Sequence, residues 1–87
     1  MLARWESDNR YYLAHVQRDL FGALTLRRVW GSRYSARGGE MMEVIEGVDE
    51  RERQAAVATR LAEIGRIRVR RGYRPCPLSR WAATSGW

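Results

Sequence analysis

The period of side-chain alternation changes once along this chain, and that change limits what it can fold into. From Arg10 to Trp30, aromatic, β-branched and polar residues alternate every second position; from Asp49 to about Arg71 the apolar positions recur every three or four. The first pattern lays side chains on the two faces of a strand, the second on one stripe of a helix. Residues 10–18 contain neither Gly nor Pro and put Tyr12, Ala14 and Val16 on one side, Tyr11, Leu13 and His15 on the other. Residues 24–30 divide likewise into Leu24, Leu26, Arg28, Trp30 and Thr25, Arg27, Val29. Asp19 to Ala23 carries turn chemistry, an Asp able to bond its own backbone and a Gly for positive φ, so the two runs form a hairpin.

Residues 40–46 fit helix or strand by propensity, but Gly38, Gly39 and Gly47 bracket them and make them a third main strand. Leu2–Ser7 is expected to be a short edge strand, and Gly31 to Gly39 a loop. Asp49 with Glu52 three residues on is an acidic capping box, and Val57, Leu61, Ile64 and Ile67 then fall on one helical stripe. Gly65 leaves two outcomes: a helix ending there with a short strand after it, or, as favoured here, a helix running to about Arg71 with Gly72 as its cap. Arg74-Pro75-Cys76-Pro77 breaks regular structure. The reading is thus an α+β domain over residues 1–74, a small twisted antiparallel sheet of about four strands with one packed helix (about 49–71). Residues 75–87 form a tail with Trp81 and Trp87, docked or disordered.

Charge narrows the partners. All 16 basic residues among the 87 are arginine, against 10 acids. Residues 1–37 hold seven Arg and three acids, residues 38–63 three Arg and seven acids, and residues 64–87 six Arg and no acid. A fold that joins the two basic ends would carry one cationic face, which attracts a polyanion across about 8–10 Å at physiological salt. Nucleic acid is the expected polyanion. The lone Cys76 and lone His15 exclude a disulfide framework and a multi-cysteine zinc site, and without a third group they make no nucleophile pair. No enzyme, cofactor or metal is expected, nor a nucleotide-type glycine loop. No apolar run reaches the ~18 residues of a membrane span, and no secretory leader is evident, so a cytoplasmic protein is expected.

Several short stretches resemble the WGR domain family. They are Tyr11-Tyr12-Leu13 leading to Gln17-Arg18-Asp19-Leu20-Phe21-Gly22, then Leu26-Arg27-Arg28-Val29-Trp30-Gly31, then Arg37-Gly38-Gly39-Glu40, and finally Arg71-Gly72-Tyr73. The likeness spans roughly residues 3–74. The family occurs in poly(ADP-ribose) polymerases that respond to DNA breaks, in bacterial proteins related to a molybdate-metabolism regulator, and as short chains. It implies a sheet with one helix and nucleic-acid binding near a 5′ end, with the motif Trp on a terminal sugar. One position departs: Ser32 stands where the motif has Arg. Either Arg33 takes over that role from a shifted position or the contact is lost.

The candidate nucleic-acid-binding residues are therefore Trp30, Arg28, Arg33, Arg37, Arg18, Arg68, Arg70 and Arg71. Trp30 either stacks on a base or sugar, worth roughly 1–3 kcal/mol, or is sealed between sheet and helix. Arg33 and Arg37 sit in a Gly/Ser-rich loop suited to phosphate oxygens. Arg27 and Arg28 must face opposite ways, and alternation puts Arg28 with Trp30. Arg66, Arg68, Arg70, Arg71 and Arg74 act either as helix-dipole partners or as a phosphate clamp. Tyr73 is expected in the core. The expected function is non-enzymatic nucleic-acid binding of low sequence specificity, DNA first and RNA second, in an adaptor or regulator. The rival is a protein-interaction module, or a homodimer assembled through the tail.

Overall fold

The structure, a computed structural model, describes residues 1–77; the expectations for Trp81 and Trp87 lie outside them. The elements are β1 (Leu2–Glu6), β2 (Arg10–Arg18), β3 (Leu24–Ser32), β4 (Gly38–Ile45), α1 (Glu50–Arg70) and β5 (Arg74–Cys76). The strands form one open antiparallel sheet in the order β4-β3-β2-β1-β5. Four consecutive strands thus make a meander, and α1 carries the chain from the β4 edge back to the β1 edge.

The expected α+β architecture is what forms, with five strands rather than about four. The added strand is β5, which includes Pro75 of the Arg74–Pro77 stretch expected to break regular structure. β5 pairs with β1 alone and so lies at the sheet edge, where a missing N–H can face away from the ladder. The glycines at 31, 38 and 39 also belong to strands rather than to a loop, since Gly31 pairs with Gly38 and Trp30 with Gly39. None of the three has a positive φ.

The helix ends follow the sequence. Asp49 accepts a hydrogen bond from the Glu52 N–H at 2.8 Å, and the Glu52 carboxylate accepts one from the Val48 N–H. At the other end Gly72 takes φ +91°, the Gly72 N–H donates to the Val69 carbonyl and the Tyr73 N–H to the Arg68 carbonyl. That pair of bonds is a Schellman closure, and it turns the chain sharply toward β5. Gly65 does not end the helix; it lies beside Trp5, where an added Cβ would stand 3.4 Å from the indole.

α1 covers one face of the sheet. Tyr12, Ala14 and Val16 of β2 and Leu24 and Leu26 of β3 are buried there against Val57 and Ile64. Each large aliphatic side chain sealed in this way is worth about 1.5–3 kcal/mol. Leu61 is only partly buried, and Ile67, expected on the same stripe, is exposed. The buried stripe passes instead through Arg68, four positions after Ile64, whose guanidinium lies on the Tyr12 ring. Trp5, Tyr12 and Trp30 are cross-strand neighbours, so three aromatic side chains follow one another across β1, β2 and β3 on the covered face. Among the described residues no element lies over the other face.

Candidate nucleic-acid interface

Three segments meet at the end of the sheet where β2 starts and β3 finishes: the turn 7–9, the loop 33–37 and the end of α1. The turn is closed by the Ser7 N–H to the Arg10 carbonyl. The loop leans on it, with the Arg33 N–H donating to the Asn9 carbonyl and the Tyr34 hydroxyl to the Asp8 carbonyl. Between them run two depressions of roughly 920 and 600 Å³ that share Asn9, Arg10 and Tyr73 and so form one groove. Each is large enough for a nucleotide-sized group.

Trp30 lies in the wall of the smaller depression and is half-buried. Its ring stacks on Tyr12 with centroids 6.0 Å apart and planes 13° from parallel. On its other side it crosses the backbone of β4 at Gly39, where an added Cβ would stand 2.7 Å from the indole. Gly39 is therefore needed for the room it leaves. Trp30 is neither sealed in nor free to swing: the ring is fixed, with one edge at the groove. Its N–H has no hydrogen-bond partner among the described residues.

Arg68 is held by aromatic rings rather than by an acid. Its guanidinium carbon lies 4.4 Å from the Tyr12 ring centre and 5.3 Å from that of Tyr73. Such cation–π contacts contribute about 0.5–2 kcal/mol each. Its Nε is buried without a partner, and its terminal nitrogens form no hydrogen bond among the described residues. Arg71 joins it in the larger depression and Arg37 lies in the smaller one. Arg33 stands at the rim, its guanidinium 3.4 Å from the Ser7 carbonyl. The helix C-terminus contributes about half a negative charge here, which these arginines outweigh.

Among the described residues Arg10, Arg33, Arg37, Arg68 and Arg71 have no carboxylate partner. The acid at the groove, Asp8, contacts Arg74 at 3.3 Å with both side chains largely exposed, an arrangement of little strength in water.

Of the residues singled out from the sequence, the groove gathers Trp30, Arg37, Arg68 and Arg71, with Arg33 at its rim. Three lie elsewhere. Arg18 is at the far end of β2, about 27 Å away along the strand, hydrogen-bonded to the Gly22 carbonyl and paired with Glu50. Arg28 shares the face of Trp30, but its guanidinium is taken up by the Tyr12 hydroxyl and the Met41 sulfur, and its Nε is buried without a partner. Arg70 is exposed on α1 outside the groove walls. Sequence reasoning missed Asn9, Arg10 and Tyr34. The signal for them was the polar triplet Ser7-Asp8-Asn9 between two strands, which marks a hairpin turn.

No family model, curated protein or solved structure matches the chain. The likeness to the WGR family thus stands on the residues quoted for it. Among the described residues no helix is long and apolar enough to cross a membrane.

Proposed function

We propose that the groove binds nucleic acid, DNA before RNA, by arginine–phosphate contacts with Trp30 set against a terminal base or sugar. The observation that carries this reading is the convergence of five arginines, none paired with a carboxylate among the described residues, around three aromatic side chains, Trp30, Tyr34 and Tyr73. Guanidinium forks suit phosphate oxygens, and a fixed indole offers a stacking surface without preference among bases. Arginine–phosphate contacts carry no sequence information, so sequence specificity is low and the chain acts as an adaptor or regulator. The WGR resemblance supports the same reading and adds a preference for ends or nicks.

The test is fluorescence anisotropy with nicked, blunt and single-stranded DNA and duplex RNA. From about 200 to about 50 mM salt the affinity rises at least tenfold, with a log–log slope of about −3 to −5. Trp30→Ala reduces the preference for ends or nicks, and Arg71→Ala weakens all DNA alike. Folded protein that binds none of these at about 50 mM salt, where phosphate contacts are strongest, defeats the reading.

A second reading, docking to a protein, is favoured by one observation. Leu20 and Phe21 are 99% and 94% exposed on a turn braced by Asp19, whose carboxylate accepts from the Phe21 and Ala23 N–H groups.

A further inference from the structure

The sheet has two edges, and they are finished differently. β5 is three residues long and contains Arg74 and Pro75, features that discourage further strand pairing. β4 is eight residues long and holds no Pro, Lys or Arg. Its register with β3 is unbroken from Leu24↔Ile45 to Gly31↔Gly38, so no bulge twists the edge away.

The phase of that ladder fixes which backbone groups are left over. The Ser32 N–H bonds to the Arg37 carbonyl at 2.9 Å, and alternation along an antiparallel pair then turns Gly39, Met41, Glu43 and Ile45 toward β3. The N–H and C=O groups of Glu40, Met42 and Val44 point outward, and among the described residues they form no hydrogen bond. The side chains beside them are apolar and open, with Met42 52% and Val44 60% exposed. Both ionised groups on the strand are already neutralised within the chain, Glu40 by Arg27 and Glu43 by Arg60.

We propose that β4 pairs with β4 of a second copy about a twofold axis at Met42, joining two sheets into one of ten strands with both helices on the same side. The spacing of acids selects this register. With Met42 opposite its own mate, Glu40 lies opposite Val44 of the second copy and Met41 beside that copy's Glu43, so no acid faces an acid. A shift of one rung toward the C-terminus sets Glu43 against Glu43 and Glu40 against Glu46. The opposite shift sets Val44 against Gly38, which has no side chain to cover it. In this register the strand's acids fall opposite apolar residues of its own copy, and twofold dimers are the commonest closed assembly. One strand pair buries less than the roughly 1,200–2,000 Å² of a standard interface, so the dimer is concentration-dependent.

Sedimentation velocity on the full chain from about 5 to about 500 µM reads it: the mean mass rises toward that of two chains across this range, as a small interface requires. Met42→Lys places two like charges at the axis and weakens association by about tenfold or more, while circular dichroism and melting temperature hold because the side chain is exposed. Crosslinking fixes the register. The mated Met42 Cα atoms are about 5.5 Å apart, within disulfide reach, so with Cys76→Ser added to both variants, Met42→Cys oxidises to a covalent dimer. Val44→Cys does not, its mates being about 13 Å apart. A monomer at every concentration overturns the proposal, as does a dimer indifferent to Met42→Lys or one that crosslinks equally well through Val44→Cys.

Discussion

The two ends of the β2–β3 ladder begin with similar material and finish opposite in character. At the end where β2 starts, Arg10, Arg37, Arg68 and Arg71 surround a groove and none has a carboxylate partner among the described residues. At the other end Arg18 and Arg53 both close on Glu50, and the surface is given over to Leu20, Phe21 and Val48. Arginine is present at both. The difference is the acid within reach: the stretch 40–52 supplies carboxylates to the far end, whereas the segment after Glu63, which has none, supplies the groove. A cationic surface is thus made by withholding partners as much as by adding charge.

The comparison can be broken most sharply by charge reversal. Arg37→Glu combined with Arg71→Glu should lower DNA affinity on the order of 100-fold at moderate salt, while Arg18→Glu should change it less than about twofold by the same anisotropy measurement. Equal losses from both would end the distinction. Glycine substitutions sharpen it further. Gly39→Ala drives a Cβ into the Trp30 indole and should cost about 1–3 kcal/mol by denaturant titration, with loss of end preference. Gly22→Ala, at φ +82° in open space, should cost about 1–2 kcal/mol and leave binding intact.

Asp19→Ala removes two hydrogen bonds to the far turn and should lower stability by about 1 kcal/mol with DNA affinity unchanged. The smallest effect is one of pH. Glu50 is held below its ordinary value of 4.5 by the hydrogen bond from Gln54 and by Arg18 and Arg53. A lowered folded pKa means that its contribution is complete above the ordinary value and fades as pH falls through the folded one. The melting-temperature advantage over Glu50→Gln at about pH 6 should therefore persist as pH reaches the ordinary carboxylate value and shrink only as it falls further, below it.

Much of the fold was legible because it is written locally. The alternation in residues 10–30, the Asp19 turn and the Asp49–Glu52 cap each act within a few residues, and each is present as read. β5 was not legible, because Pro75 reads as a breaker until β1 is known to lie beside it. That same pairing puts Tyr73 and Arg71 next to Asn9 and Arg10, so the groove's two halves are joined by a contact no periodicity announces. The fate of Arg28 shows the other limit. Alternation placed it on the face of Trp30, but its lateral neighbours, the Tyr12 hydroxyl and Met41, decide that it turns inward. Arg18 stands at the opposite end of β2 from the groove, and there it is paired by Glu50, 32 positions away.

Tyr12 serves two structures at once. Its ring is packed in the interior between Trp5 and Tyr73, and the same ring is the platform on which Arg68 and Trp30 rest. The groove is therefore no appendage that can loosen while the body of the domain persists. Heat or denaturant should abolish the proposed DNA binding and collapse the scaffold in one cooperative step, and no peptide excised from the groove should bind in its place.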